Sequence, residues 1–598
     1  MTKGDTHMRS ILSRPVSAIA VAALPLAIAI SFSSGGVGAQ SIPTDPQGGC
    51  PVSAAKFASW FETGVPAADG EVKPADSVNF PDIPNCSFYD WSKQMYLWLT
   101  SPAPSKYGGG SRIFNSPTFF DVSPPDANNQ RTFSQHEPGF IKFFTLRMNK
   151  PGPHNLPFIF DKRHRMFEVQ PAKLGPTGKP VVLNAARKEV EISDIRIGAN
   201  RKATFIDAAS RPIARAKLVA LPAPVLRPAP AIPARGRVPT RAVPQPRLNV
   251  AQQFVIGRKH IFLDLLGNVI DTEEGQAGTN AALMSQGNSL VYYATMVNDV
   301  YTYFLTGNKN NAFSPAFTTF PINQADLTKI ENFAATKNVK FPDGIALAIE
   351  IKTAWVEAST LPNASDYITM NATVPSYDTS NAAQWVANGT KKVTLALVSI
   401  HVVGSTKGHP EMIWATFEHF GSTPAAEYKY NSTTGLKTVP QSTAGMWLFS
   451  KTNATGQFNC EHMTWDTANN NINAFQPPGN CTPPVPGTVS PSDTLRVNPW
   501  GMAGTAATSN TELISSHNTT QVPGNDVRNK YFMTGATWTP FGIPPNGNNA
   551  VGTNKMANSA LETYTQSTNC FGCHLGNMLG DPGGAGLSHI YGTLKPLF

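Results

Sequence analysis

The chain has 598 residues, 41% hydrophobic and 10% aromatic, with 15% charged against roughly 25% in average soluble domains. That length excludes a single ordinary core, and low charge with abundant Pro, Gly, Asn and Thr points to an exported, loop-rich, β-containing protein. Net charge is +9, but residues 211–247 hold seven Arg and one Lys with no acidic residue, so the excess is local and gives no support to nucleic-acid binding by the folded parts.

At the N-terminus, Arg9 and Arg14 precede an apolar run at about 16–32, broken by Pro25, and Val37-Gly38-Ala39 offers small residues before Gln40. A basic flank, a short apolar stretch and an A-x-A-like end describe a secretory signal peptide over 1–39, with Met8 an alternative start. The run is short against the roughly 20 residues that span a bilayer. The mature chain is expected in the periplasm, with no stable membrane span.

Between 50 and 105 the run FYDWSKQMYLWLT places Phe88, Trp91, Met95, Trp98 and Leu99 at spacings of three and four, the core face of a helix. Residues 139–210 read as strands and turns. TFIDAASRPI within them resembles IFLDLLGNVID at 261–271, and each predicts a hairpin. Between the two lies 221–247, where dense proline removes amide donors and arginine keeps the chain solvated. It is expected to be a linker or insertion, or a handle for an acidic partner or membrane surface. Helices are predicted at 289–305 and 324–336. GIALAIEIKTAWVEA alternates as a strand, with Leu347, Ile349, Ile351, Thr353 and Trp355 on one face and Glu350 and Lys352 on the other. KKVTLALVSIHVV and EMIWATFEHF predict an interior hairpin. Its histidines, His401, His409 and His419, are spaced too far apart along the strands to chelate one ion, and core or turn roles are expected. From 421 to 550 long loops are expected, and then a last helix at about 554–567.

That helix runs into C-F-G-C-H at 570–574. Two thiols three residues apart match the two vinyl groups of haem, to which each adds as a thioether, and the following histidine is carried under the ring as an iron ligand. From this chain's own Cys and His frequencies such a pentapeptide arises by chance roughly once in a thousand sequences. One covalent haem c is therefore expected at Cys570 and Cys573, with His574 as axial ligand. His589, the tail's remaining histidine, can loop back through the Gly-rich stretch 580–586 and is the first candidate for the second axial position. Met533 and His517 follow, Met502 is further upstream, and Met578 is too near His574 to reach the opposite face. An open iron is the alternative. The four other cysteines predict two disulfides, proximity favouring Cys50–Cys86 and Cys460–Cys481.

With LETYTQSTN before CFGCH and LSHIYGTLKPL after it, and with GHPEMIWATFEH, the chain resembles large single-haem cytochrome c family proteins of proteobacteria. The resemblance implies covalent haem at Cys570 and Cys573 and ligation by His574, without a reaction. Lys352 on its strand also bears a slight likeness to the lysine crosslinks of c-type haem enzymes acting on hydroxylamine, with a surface role the simpler expectation. The expected architecture is α+β and β-rich, a sheet-based scaffold with peripheral helices and the haem on a C-terminal helix or loop. The expected divisions are a 40–220 domain, the 221–247 segment and a 248–598 domain carrying the haem. Two activities are compatible with this: electron transfer to a redox partner protein, or a haem enzyme or small-gas binder (peroxidase-like) with an open or displaceable axial site.

Overall fold

The computed structural model describes residues 42–598 except 84, 125, 127–129, 147–157, 161–165, 199–201, 220–248, 257–258, 271–280, 444, 452–456, 467–468, 475–484, 502–506, 546–548, 554, 556–557, 565, 567–568, 573 and 575–586. The segment 1–39, expected to be a signal peptide, the Pro/Arg-rich stretch 221–247, Cys481, Cys573, Met502 and Met578 thus lie outside the described residues.

The long apolar-alternating runs assemble into one large antiparallel sheet, and the fold is α+β and β-rich as expected. Its main strands are β1 (Phe119–Val122), β2 (Phe133–Gln135), β3 (Tyr292–Asn298), β4 (Ile349–Glu357), β5 (Thr369–Asp378), β6 (Gln384–Thr406), β7 (His409–His419) and β8 (Tyr531–Trp538). They are ordered β2-β1-β3-β4-β6-β7-β8, and β5 pairs with the first half of β6. β1 and β2, before the Pro/Arg-rich stretch, are therefore in one sheet with strands that follow it. β6 and β7 turn at Lys407-Gly408 and are interior strands, flanked by β4 and β8.

Both faces are covered because both carry apolar side chains. On one, helix α1 (Cys86–Leu99) packs Phe88, Trp91, Met95 and Trp98 into a cluster with Ile351, Ile413, Phe417 and Met533, joined by Leu513 and Ile514 of a later helix. On the other, helices α2 (Asp299–Lys309) and α3 (Gln324–Ala335) and the C-terminal tail meet Val403, Met412 and Trp414. Next to them Ala560, Leu561 and Tyr564 cover Ala354, Val356 and Val398.

Three expectations are corrected. Residues 292–298 of the expected 289–305 helix are strand β3, and the helix starts at Asp299, where the Asn298 side chain accepts from the Tyr301 amide as N-cap. Tyr292, Ala294 and Met296 face one cluster while Val291 and Tyr293 face another, so an apolar residue at every position hid the two-residue period. The loop-rich 421–550 contains β8 and the later helix, α4 (Ala507–Thr519). Finally, described residues 558–564 form turns rather than the expected helix. Their polar side chains bond to the sheet instead: Asn558 Nδ2 donates to Thr416 Oγ1 (2.8 Å), and Ser559 donates to the Glu418 carboxylate.

The described residues within 166–270 build a smaller β module with its own core of Val182, Ile195, Phe205, Phe254 and Leu263. Five hairpin turns in and just after it share one form, beginning at Gly175, Asn184, Asp207, Asp264 and Ser285. In each, the first amide donates to the fifth carbonyl and the fourth amide to the first carbonyl. The fourth residues, Gly178, Arg187, Ser210, Gly267 and Asn288, all have positive φ. The two hairpins read from sequence are among these. In both, an aspartate Oδ1 accepts from the third and fifth amides of the turn.

Cys50 and Cys86 are bonded (Cα–Cα 5.1 Å), as proximity suggested. Cys460 is also in a disulfide. No described helix is long and apolar enough to cross a membrane.

Candidate functional site

The segment 558–574 crosses the face of the sheet that α2 and α3 cover, and the last residues return over the same face. Side chains fix this path. Asn558 and Ser559 bond to β7, Tyr564 and Leu561 pack beside β3 and β6, and Phe571 is fully buried. From the tail, Leu587, Ile590, Tyr591 and Leu594 enter the aromatic cluster of α2. Asn308 donates to the Tyr591 hydroxyl (2.9 Å), and Lys309 Nζ donates to the carbonyls of Gly592 and Leu594. Burial holds Lys309 down at about 8 and pushes Tyr591 up to about 12.

Cys570–Gly572 is a 3-10 turn, and the His574 amide donates to the Cys570 carbonyl (2.9 Å), which fixes the histidine one turn from the cysteine. Cys570 carries a thiol and is partly buried beside the aromatic cluster. His574 is 6% exposed, with its ring 4.2 Å from that of Trp414. Its Nδ1 lies 2.8 Å from the carbonyl oxygen of Leu587. A carbonyl only accepts, so Nδ1 carries the proton, and in the neutral ring this tautomer leaves the lone pair on Nε2, the form that ligates iron. A ring fixed through Nδ1 to a backbone carbonyl is also the usual support of a metal-bound histidine. The donor set of Cys570 and His574 fits covalent haem.

Of the three described candidates for a second ligand, the structure brings one to His574. The His589 ring stacks on that of His574, centroids 3.9 Å apart and planes at 16°. Next to it, Ser588 Oγ bonds the Tyr301 hydroxyl (2.8 Å) and donates to Glu350 Oε2 (2.7 Å). Met533 lies in the cluster on the opposite face of the sheet. His517 sits in α4 against Phe420 and Trp500, and burial drives its pKa well below the usual value.

The histidines of the β6–β7 hairpin have separate surroundings. His401 lies 3.2 Å from Glu562, and His419 is stacked on Tyr367 (3.9 Å), with burial lowering its pKa to about 3. His409 Nδ1 is 2.8 Å from Glu411, and its Nε2 is 3.3 Å from Asp82. Lys352 is not a surface residue: it is half-buried, directly opposite His401 in the register, with Nζ 5.7 Å from the Tyr293 ring centre. It shares a face with Glu350 and, across the strands, with His401 and Thr416. A polar row thus runs under the segment that leads to Cys570.

Sequence reasoning missed Trp414, the Leu587 carbonyl and the Tyr301–Ser588–Glu350 chain. Trp414 and Glu350 were legible as members of alternating strands, but a backbone carbonyl has no sequence signature. No protein-family model matches this chain, and neither does any curated protein or solved structure.

Proposed function

We propose that this protein is a periplasmic c-type cytochrome that passes electrons to a redox partner protein through one haem, bound covalently at Cys570 and Cys573. The observation that carries this reading is the CFGCH pentapeptide with His574 buried and its Nδ1 proton committed to the Leu587 carbonyl. Haem held there supplies a one-electron iron couple. The chain's own residues do the rest. His574 would offer Nε2 to the iron, and the Leu587 bond fixes the Nδ1–H tautomer and the ring's orientation. Phe571, Trp414 and Leu587 exclude water, which disfavours added charge at the site. His589, stacked on the His574 ring, is the candidate to ligate the other side once it moves off that ring.

One observation favours a second reading, a haem enzyme or small-gas binder with a displaceable axial site. Rings stacked 3.9 Å apart leave no room for a porphyrin between them, so His589 must leave the His574 ring to ligate from the opposite side. A ligand that arrives by movement also departs by movement.

Haem-linked peroxidase staining of the denatured protein, expressed in a host that matures c-type cytochromes, tests the common premise. The stain is expected at full mass, and its absence refutes both readings. The reduced spectrum then separates them. Sharp α and β bands unmoved by carbon monoxide support electron transfer, while bands that shift with it support the displaceable site.

A further inference from the structure

The hairpin turn at 264–268 differs from its sister turns in one respect. The corresponding tips are Pro176–Thr177, Ala185–Ala186, Ala208–Ala209 and Gln286–Gly287, small or polar as a solvated turn requires, but this one carries Leu265 and Leu266. The turn is already specified by Asp264, whose Oδ1 accepts the amides of Leu266 and Asn268 (2.9 and 2.8 Å), and by Gly267 at φ 77°. Nothing in the turn's geometry calls for leucine. The two side chains are 64% and 83% exposed, the latter among the most exposed large apolar residues described.

They are not isolated. Asn268 bridges Lys202, and the Ala203 amide donates to the Gly267 carbonyl (3.2 Å). Ala203 is in turn paired with Ile197, itself 48% exposed. The ends of two hairpins therefore lie side by side, with Leu265, Leu266 and Ile197 as the apolar members and the exposed Arg196 and Lys202 beside them.

The module's charge is equally uneven. Residues 166–270 contain 17 Lys and Arg against 6 Asp and Glu, a net of +11, whereas the whole chain is +9. Without the five arginines of 221–247 the count is still 12 against 6. The rest of the protein is thus slightly acidic, and the excess positive charge resides in the module with the apolar tip. A basic surface alone fits any acidic partner. Adjacent exposed leucines among basic residues fit a surface that accepts both, apolar chains in its interfacial layer and cations at its phosphates.

We infer that the 166–270 module is a docking surface for an anionic phospholipid bilayer, with the Leu265–Leu266 tip entering the interface and the surrounding Lys and Arg meeting the headgroups. This would hold the protein at the membrane surface without a span, and it does not depend on whether the haem reading is correct.

The test is flotation of the full mature protein with vesicles of phosphatidylcholine alone and with about 30% phosphatidylglycerol added. The protein is expected to float only with the anionic vesicles and to be released at about 0.5 M salt, where charge attraction is screened. Leu265→Ser/Leu266→Ser is expected to weaken binding about tenfold with an unchanged melting temperature, since both side chains are exposed. Arg196→Gln/Lys202→Gln is expected to weaken it by a smaller factor. Equal binding to both vesicle types, or none to either, overturns the inference. So does anionic binding that survives the leucine substitutions, which would leave charge alone, with no apolar insertion, holding the vesicles.

Discussion

Two of the buried histidines that meet strand β7 lie in different regions of the molecule. His409 is its own first residue, at the hairpin end, and His574 packs on Trp414, five positions along. They are 1% and 6% exposed, so burial does not distinguish them. Their partners do. Burial alone would depress the His409 pKa, but hydrogen bonds and charge from Glu411 and then Asp82 outweigh it and hold the pKa above the usual value. His574 instead meets a backbone carbonyl and the rings of Trp414 and His589. One environment favours an imidazolium that pins a loop, and the other fixes the Nδ1–H tautomer through a carbonyl. The lesson is that a buried histidine's chemistry is read from its acceptors, carboxylate or carbonyl, and not from its depth.

The strongest way to break the comparison is at the tail. Cys570→Ser/Cys573→Ser is expected to abolish covalent pigment entirely, with acid–acetone extraction removing whatever haem co-purifies. Retained stain would show that the tail histidine does not serve a c-type haem. At the hairpin end, His409→Ala leaves Glu411, 0% exposed, as an uncompensated buried carboxylate, and should lower unfolding stability by about 4 kcal/mol in urea titration. A loss under 1 kcal/mol would mean that the pair behaves as a surface contact.

Next in size is the tether. Asp82 reaches His409 from a loop that ends at Cys86, and the Cys50–Cys86 bond closes a 36-residue separation. Cys50→Ala/Cys86→Ala is expected to cost about 3–4 kcal/mol from the released loop entropy. The smallest effect is in pH. Because the folded His409 pKa is raised, its contribution is fully present below the unfolded pKa of about 6.5 and is lost as pH rises through the folded value. The melting temperature should therefore fall more steeply above neutrality in the wild type than in His409→Gln. Parallel profiles would assign the slope to other groups.

Part of this was legible in advance. The α1 stripe from Phe88 to Leu99, the alternation that opens β4 and the apolar runs of the β6–β7 hairpin follow from local sequence, because each is a pattern of neighbouring residues. β3 was not legible, since it is apolar on both faces and runs without a break into α2. Nor was α4, whose ATSNTELISSHNT is rich in Ser, Thr and Asn and is held by tertiary contacts of Leu513 and Ile514 rather than by propensity. At the site, the pairing of Cys570 with His574 was legible because the proposed haem attachment rests on a fixed local spacing. His589 was the first candidate on reach alone, and the structure puts its ring against His574.

The sequence by itself determined the CFGCH pentapeptide on which the haem proposal rests, the sheet-rich class and the Cys50–Cys86 pair. Each depends on residues near one another in the chain or on a simple repeating period. Only the tertiary structure decided that described residues 558–564 of the expected 554–567 helix form turns instead, with Asn558 and Ser559 bonded to β7, that Leu587 supplies the carbonyl for His574, and that Met533 is on the other side of the sheet. Those outcomes depend on which buried polar groups find partners across hundreds of residues, and local patterns carry no information about such distant pairings.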